Sequence, residues 1–288
     1  SIGFIFFYIY LLKKNFTIML LGKNLVKEDI KMIIKKYQPS NIVLPIEMKK
    51  NLNFSETEVK KTKYAYGLYK LNESKQYKID DELCLLLSTS GSTGSRKFVK
   101  LSYQNLDSNL SAIVKSLKIS KKDSTITTLP PEYSYGLSVI NSHLIVGARI
   151  NLSNLTIFDK EFSDSVDKIK ITNLNGVPLF FDLLKKIKFF KKINCSYLSF
   201  MTQAGGPLSE ETKSFILDEI NRRKINFYIM YGSTETSPRM STINLYKNQK
   251  ISKGCIGLPI SDYKFRVNKK VGSIFFYGKN IFKGYSKN

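Results

Sequence analysis

The stretch Thr89–Lys97 has the clearest chemical signature in the chain, because seven of its nine residues are glycine, serine or threonine. Glycines let a backbone approach an anion closely. Hydroxyl and backbone N–H groups can then bind phosphate oxygens, whose charge a lysine neutralises. The spacing is not that of an NTPase P-loop, since Lys97 lies three residues after Gly94. A flexible glycine–serine loop is the alternative, but the apolar strand before the stretch and the helix after it favour a phosphate site.

Two further polar segments follow predicted apolar strands. Tyr231–Glu235 comes directly after the strand Ile225–Met230, and Gln203–Leu208 also lies between a strand and a helix. The hydroxyl of Thr234 beside the carboxylate of Glu235 could hold a phosphate together with its Mg²⁺. A polar turn that caps the strand is the alternative for either segment alone. Parallel α/β sheets bind ligands at the carboxyl ends of their strands, so three such loops favour a ligand site.

An alternation of strand-like and helix-like segments must position these loops. It predicts parallel sheets covered on both faces by helices, which is an α/β fold. The predicted strands include Cys84–Leu87, Ser124–Leu129, Ile171–Leu174 and Ile225–Met230, and the helices include Ile2–Leu12, Ser102–Leu117, Gly136–Val146, Pro178–Phe190 and Ser209–Arg223. Residues 46–80 are predicted to form a loop and an edge strand.

The pattern changes after Ser241, where short strands are separated by Gly, Pro and Lys. These features predict a small β-barrel-like or antiparallel appendage. We therefore expect two domains, an α/β nucleotide- and acyl-binding region over 1–245 and an incomplete β-rich subdomain over 246–288. The apolar run at the start is too short to span a bilayer, which needs about 20 residues, and it lacks the features of a signal peptide. Both ends look cut.

Composition narrows the function classes. The 288 residues are 42% hydrophobic and 24% charged, which is typical of globular proteins. A nucleic-acid-binding protein is a further hypothesis, and the net charge of +23 is its sole support. Only six of the 46 basic residues are Arg, whereas base and phosphate recognition favours Arg, so no specific nucleic acid is expected. The single histidine, His143, is predicted to be packed in a helix, and three cysteines without metal-site spacing predict a reduced, cytoplasmic protein.

In their order and spacing, these motifs resemble the adenylate-forming family, which comprises acyl-CoA synthetases, adenylation domains of peptide synthetases and luciferases. Thr89–Lys97 matches the phosphate loop T-S-G-[ST]-T-G-x-P-K, and Tyr231–Glu235 matches Y-G-x-T-E. The remaining matches are Val177-Pro178, Ala204–Leu208, Gly254–Pro259, Gly272–Ile274, Gly278–Asn280 and Lys283–Tyr285. The resemblance covers nearly the whole chain.

The resemblance implies that a carboxylate attacks the α-phosphate of Mg·ATP, and that a thiol or amine then takes the acyl group. Thr234, Glu235 and Lys97 would be the catalytic residues, with Thr234 on the α-phosphate and Glu235 on Mg²⁺. The residues implied to hold the β- and γ-phosphates, with Thr89 opening their loop, are Ser90, Gly91, Ser92, Thr93, Gly94 and Lys97. Those implied to border the adenine and the acyl carboxylate are Gly205, Gly206, Pro207, Tyr231 and Gly232. Implied partners are a small carboxylic acid, CoA or phosphopantetheine as acceptor, and an acyl carrier protein.

Several positions depart from the family pattern. Arg96 replaces the loop's proline and Phe98 its following glycine, while Tyr133 replaces a histidine and Tyr135 remains as an aromatic near the acyl path. The mobile C-terminal domain that carries a catalytic lysine is expected to be absent, so this chain alone should catalyse poorly. A non-catalytic remnant that binds nucleotide or acyl groups is the alternative. Aromatic, fatty and amino acids remain open as substrates; the lack of an aspartate anchor for an α-amine disfavours amino acids.

Overall fold

The computed structural model describes residues 1–23, 25–49, 56–72, 79–89, 97–252 and 254–286. The chain divides into two compact units, Ser1–Leu86 and Leu87–Asn288. The division expected from the sequence, at residue 245, is a different partition and stays a prediction.

The described residues of the first unit include a small antiparallel sheet and three helices. Its elements are α1 (Ile2–Lys13), β1 (Ile18–Leu20), α2 (Lys27–Tyr37), β2 (Asn41–Pro45), α3 (Ile46–Lys49), β3 (Glu56–Lys61), β4 (Tyr66–Leu71) and most of β5 (Leu83–Ser88). Strand β4 pairs with both β2 and β3, so β4 is the central strand of this sheet and β3 is one of its edges. The edge strand predicted within 46–80 is therefore found as β3, and the central strand β4 is an additional element. The physical reason is that β4 buries Leu68, Tyr69 and Leu71, whereas the charged β3 suits the solvent-facing edge. Residues 50–55 and 73–78 of that prediction lie outside the described residues.

The second unit is built on a seven-stranded sheet in the order β13-β12-β11-β10-β9-β7-β8. Strands β7 to β11 run parallel, β12 pairs antiparallel with β11, and β13 pairs antiparallel with β12. Its strands are β6 (Phe98–Ser102), β7 (Ser124–Ile126), β8 (Arg149–Asn151), β9 (Asn173–Gly176), β10 (Phe200–Gln203), β11 (Asn226–Tyr231), β12 (Ser241–Asn244), β13 (Leu258–Pro259), β14 (Lys264–Asn268) and β15 (Ser273–Tyr277). Its helices are α4 (Tyr103–Leu117), α5 (Ser134–Ile145), α6 (Lys160–Lys168), α7 (Pro178–Lys186), α8 (Phe189–Lys192), α9 (Glu210–Arg223) and the 3₁₀ helix Thr234–Thr236. The predicted α/β class with a parallel-rich sheet is confirmed.

Local sequence explains where the helices next to the loops begin. Ser102 starts α4 with a capping box, because its side chain accepts from the N–H of Asn105 while the Asn105 side chain accepts from the Ser102 N–H. Pro178 occupies the first turn of α7, where no N–H is needed. The Ser209 hydroxyl accepts from the N–H of Thr212 and so caps α9. These caps fix the points at which the chain leaves each strand and enters the following helix.

The core of this unit lies between the central strands and the helices on them. Leu174, Met201 and Phe227 of the central strands pack in one cluster with Phe181 of α7 and Ile216 of α9. All five side chains are fully buried. Burial on this scale is worth roughly 1.5–3 kcal/mol for each side chain. The strand ends are therefore held firmly, and the loops that follow them are displayed from a rigid base.

The last part of the chain forms an antiparallel hairpin of β14 and β15, as the sequence predicts; closure into a barrel stays a prediction.

Strand β6 was missed by the sequence analysis. Its Lys100 N–H donates to Gly284 O at 3.0 Å, and the Ser286 N–H donates to Phe98 O at 2.8 Å. Among the described helices, none has both the length and the apolar character needed to cross a membrane.

Candidate functional site

Three parallel strands bring their carboxyl ends to one edge of the sheet. Gln203, the last residue of β10, is in register with Gly176 of β9 and with Ile229 of β11. The segments that follow these strands therefore leave the sheet side by side, including two of the loops singled out in the sequence. Ligands of parallel α/β proteins bind at such an edge.

The loop after β10 turns sharply through two glycines. Gly205 has φ +89°, and a Cβ there would lie 2.7 Å from the hydroxyl oxygen of Tyr133. The Gln203 side chain donates from Nε2 to the carbonyl oxygen of Gly206 at 2.7 Å, which ties the loop to the strand. Gly205, Gly206 and Pro207 are all exposed. The loop thus presents its backbone to solvent, and Tyr133, which replaces the family's histidine, packs against it.

The loop after β11 carries the candidate contacts to the α-phosphate and to Mg²⁺. Thr234 and Glu235 are partly exposed, and Thr236 behind them is buried. The hydroxyl oxygens of Thr234 and Ser134 lie 3.1 Å apart, so the start of α5 supports the threonine. At Gly232 a Cβ would lie 1.7 Å from the carbonyl oxygen of Pro238, which restricts that position to glycine. The sequence analysis did not identify Ser134.

Glu235, Tyr285 and Lys97 form one cluster. The Tyr285 hydroxyl donates to Oε1 of Glu235 at 2.8 Å, and Nζ of Lys97 lies 5.7 Å from the centre of the Tyr285 ring. The Thr89 N–H donates to the Lys97 carbonyl at 3.1 Å, which places both ends of the predicted phosphate loop next to each other. The predicted residues within that loop, Ser90–Gly94, lie outside the described residues.

Buried asparagines hold this cluster in place. Asn280 has no exposed surface, and its Nδ2 donates to the carbonyl oxygens of Thr236 at 2.5 Å and Arg239 at 3.0 Å. Nδ2 of Asn105 donates to the carbonyl oxygens of Lys279 and Ile281, both at 2.8 Å. The sequence analysis recognised Gly278–Asn280 as a motif but gave Asn280 no role.

Burial and hydrogen bonding shift several pKa values around the site. The hydrogen bond to the Glu235 carboxylate raises the pKa of Tyr285, so that its hydroxyl stays protonated and remains a donor at neutral pH. Burial raises the pKa of Tyr135 to about 12. The Tyr135 hydroxyl donates to the carbonyl oxygen of Thr202 at 2.8 Å, so the aromatic expected near the acyl path lies in the interior, beneath the strand ends.

His143 is a packed histidine, as the sequence predicts. Its Nδ1 lies 2.8 Å from the carbonyl oxygen of Val139, and its Nε2 lies 3.0 Å from Nδ2 of Asn173. A neutral ring with its proton on Nδ1 satisfies both contacts. Burial lowers the pKa of this histidine, which keeps the ring neutral.

The donor set suits a magnesium ion that also binds a nucleotide. In the described part of the chain, no group of three or more His, Cys, Asp or Glu side chains is placed to hold a metal. Glu235 offers a single carboxylate in a partly exposed loop. Mg²⁺ in nucleotide sites takes one or two carboxylates and completes its shell with phosphate oxygens and water. Glu235 therefore fits a Mg²⁺ ion that arrives with phosphates.

Comparison with known proteins agrees with this arrangement. A family model described as AMP-binding enzyme matches residues 6–286. The luciferin 4-monooxygenase of Nipponoluciola cruciata is 26% identical over 72% of this chain and 39% of the relative. The 2-succinylbenzoate–CoA ligase of Bacillus cytotoxicus is 28% identical over 72% of this chain and 43% of the relative. The chain thus spans about two fifths of the length of these curated relatives.

Solved structures share the fold. The N-terminal subdomain of Klebsiella oxytoca NpsA, in complex with anthranilyl-AMSN, superposes with a TM-score of 0.62 at 21% identity, over 75% of this chain and 57% of that one. A long-chain-fatty-acid–CoA ligase from Archaeoglobus fulgidus gives a TM-score of 0.59 at 23% identity, over 70% of this chain and 43% of that one. At these identities the likeness concerns the fold alone.

Proposed function

The chain belongs to the AMP-binding enzyme family, and on this premise we propose that it activates a carboxylic acid with ATP. A carboxylate oxygen attacks the α-phosphorus, the bond from that phosphorus to the oxygen bridging it to the β-phosphorus breaks, and an acyl-adenylate and pyrophosphate form. A thiol then attacks the acyl carbon, loses its proton, and releases AMP. The proposed enzyme is an AMP-forming acid–thiol ligase, and the free cysteines support a cytoplasmic location.

The cluster of Lys97, Glu235 and Tyr285 beside Thr234 is the observation that carries this proposal. Displacement at phosphorus needs little covalent help from a protein, because positioning and charge neutralisation supply most of the catalysis. The structure offers a cation, a carboxylate and a hydroxyl at the carboxyl edge of a parallel sheet. These are the groups that a bound magnesium nucleotide requires.

The family motifs, together with the positions of Lys97, Thr234 and Glu235, support the following roles. We assign the β- and γ-phosphates to Lys97 and to the loop of Thr89 and Ser90–Gly94, and the α-phosphate to the Thr234 hydroxyl. Glu235 would hold Mg²⁺, which when bound draws charge from the phosphate oxygens. The residues that would border the adenine and the reacting carboxylate are Gly205, Gly206, Pro207, Tyr231 and Gly232. Tyr285 donates to one oxygen of Glu235 and so orients the carboxylate.

The activities for which similar proteins are named support CoA as the acceptor. They include 2-succinylbenzoate–CoA ligase from two Bacillus species and feruloyl-CoA synthase from Amycolatopsis and Streptomyces. A pantetheine arm carries the same thiol, so an acyl carrier protein is the second candidate acceptor. The first, adenylate-forming half of the reaction is common to both.

Acid-dependent exchange of labelled pyrophosphate into ATP tests the proposal, with aromatic, fatty and amino acids as the panel. Exchange with at least one acid, lost in Glu235→Gln and kept in Glu161→Gln, is the expected result; Glu161 is an exposed glutamate on α6. If ATP binds but no acid promotes exchange, the chain is a non-catalytic nucleotide-binding remnant. If ATP does not bind, the assigned phosphate roles are wrong.

A further inference from the structure

The amino ends of the parallel strands form the edge of the sheet opposite the candidate site. Backbone hydrogen bonds follow this edge from strand to strand. The N–H of Thr172 donates to Ser124 O at 2.8 Å, and the N–H of Ser199 donates to Thr172 O at 2.8 Å. The N–H of Asn226 donates to Ser199 O at 3.0 Å. The segments that lead into these strands therefore lie side by side.

Side-chain hydrogen bonds join the neighbouring segments to this edge. Asp167, at the end of α6, accepts through Oδ2 from the N–H of Asn194 at 2.8 Å. Gln249, which follows β12, donates to Oδ1 of Asn221 near the end of α9 at 2.7 Å. We call the resulting surface the amino-edge face, and it comprises residues 118–123, 146–149, 168–172, 191–199, 222–225 and 245–250.

Positive charge is concentrated on the amino-edge face. Its six segments contain thirteen Lys and Arg residues and one acid, Asp123. Twelve of the thirteen basic side chains are exposed, and Arg223 is half-buried. Asp123 is half-buried and accepts hydrogen bonds from the hydroxyls of Ser120 and Thr172. The face therefore presents cations almost without acids between them.

The opposite edge of the same sheet has the reverse charge. Its segments, residues 127–133, 152–159, 177, 204–209 and 232–240, contain three acids and one basic residue, the buried Arg239. The acids are Glu132, Asp159 and Glu235. Because the two edges differ in sign, the basic character of the amino-edge face is a matter of position and does not simply repeat the net charge of the chain.

Helix dipoles account for a part of this pattern. A cation stabilises the C-terminus of a helix, and Lys118 and Lys224 occupy the C-caps of α4 and α9. The lysines at 121 and 122, together with Lys247 and Lys250, lie outside the helices and are exposed. These four positions gain nothing as helix caps, so their charge points to an anionic surface outside the protein.

We propose that the amino-edge face binds an anionic lipid membrane. Ten of its twelve exposed basic residues are Lys, which acts as a point charge toward any anionic surface, whereas recognition of nucleic-acid phosphates and bases favours the Arg fork. Each basic side chain close to an anionic leaflet strengthens binding about fivefold. Tyr197 on the same face is 47% exposed, with Nζ of Lys170 5.1 Å from its ring centre, and tyrosine is enriched at membrane–water interfaces.

Docking through this face leaves the candidate site open to soluble ligands. The two edges are separated by the length of the strands, which rise about 3.3 Å per residue. A carrier protein that delivers a thiol to the site would approach the other edge, so the amino-edge face is not its docking surface. The proposal goes beyond the proposed function and does not depend on it.

Cosedimentation with vesicles tests the proposal. The wild type should bind vesicles of phosphatidylcholine mixed with phosphatidylserine at least about tenfold more tightly than vesicles of phosphatidylcholine alone, and added salt should weaken this binding. A variant that combines Lys121→Gln, Lys122→Gln, Lys247→Gln and Lys250→Gln should bind the mixed vesicles at least about tenfold more weakly than the wild type.

A second variant with the same loss of net charge provides the matched control. It combines Lys160→Gln, Lys264→Gln, Lys269→Gln and Lys270→Gln, all at exposed positions outside the amino-edge face, and it should bind the mixed vesicles as the wild type does. The comparison of the two vesicle types needs only the wild type and so does not depend on the folding of any variant.

Three results would overturn the proposal. The first is equal binding of the wild type to both kinds of vesicle. The second is an equal loss of binding in the two variants, since overall charge and not this face would then be responsible. The third is tighter binding of mixed-sequence RNA than of the mixed vesicles, lost only in the first variant, which would make nucleic acid the partner. Titration with Mg·ATP is a separate test, because its failure contradicts the ligase and leaves the membrane result standing.

Discussion

Replacement of Asn280 by alanine tests whether the loop that carries Glu235 is held by buried hydrogen bonds. The substitution removes the only described donor to the Thr236 carbonyl, and an orphaned buried carbonyl costs about 1–3 kcal/mol. The carbonyl of Arg239 keeps Asn109 as a donor, so its loss is smaller, about 0.5–1.5 kcal/mol. Removal of the Asn280 Oδ1, which has no partner, returns about 1 kcal/mol. We expect the free energy of unfolding to fall by about 1–3 kcal/mol.

Urea denaturation measures this change, and two further variants sharpen it. Asn194→Ala, on an exposed asparagine, should change stability by less than about 0.5 kcal/mol. Asn280→Asp keeps the shape but turns an oxygen toward two carbonyl oxygens, and should be at least as destabilising as alanine. The reasoning would be refuted if Asn280→Ala matched the wild type, or if Asn280→Asp were the milder change, since packing and not hydrogen bonding would then decide.

Three further effects are expected in and around the site. Tyr285→Phe removes a hydrogen bond to Glu235 that is partly exposed to solvent. In calorimetry, Mg·ATP should therefore bind about 2–10-fold more weakly, a loss of about 0.5–1.5 kcal/mol. Binding of Mg-free ATP should change less. Gly205→Ala should lower the free energy of unfolding by about 1–2 kcal/mol in urea denaturation. Adding Tyr133→Phe, which removes the hydroxyl that the new Cβ would meet, should restore a part of that stability. The contact between Gly205 and Tyr133 would be contradicted if neither change had an effect. Because burial lowers the pKa of His143 below its usual 6.5, the unfolded state binds a proton first as the pH falls. Stability should therefore drop below pH 6.5 by up to about 1.4 kcal/mol per pH unit, and a His143→Gln variant that shows the same drop would contradict this.

The sequence predicted the parallel-rich part of the fold because its signals are local. Apolar runs such as Ile225–Met230 alternate with helices whose caps are visible in the sequence, such as Ser102 and Ser209. Strand β6 was missed because Phe98–Ser102 is a short segment that leads directly into α4, and a part of its pairing, with residues 283–286, joins segments far apart in sequence. Within 46–80 the sequence predicted one edge strand, where the structure has the edge strand β3 and the central strand β4, because only the pairing of β4 with both β2 and β3 makes it central.

The candidate site was predicted only in part. Glu235 and Lys97 were identified from short motifs, whereas Tyr285 joins them through a contact across 50 positions in the sequence. Arg239 also gave no signal, because an arginine four residues after Glu235 is one more basic residue in a chain of net charge +23. Its burial, without an ion pair to a carboxylate of the described residues, is apparent only in the folded chain.

Calorimetric titration with Mg·ATP tests the central claim most directly, using the wild type, Glu235→Ala and Lys97→Ala. The account predicts saturable binding of the wild type in the micromolar to submillimolar range, roughly −8 to −5 kcal/mol. Both substitutions should weaken that binding, and Lys160→Ala and Glu161→Ala, on exposed residues of α6, should leave it unchanged. Absence of binding to the wild type, or binding that is indifferent to both Glu235 and Lys97, would contradict a nucleotide site at this edge of the sheet.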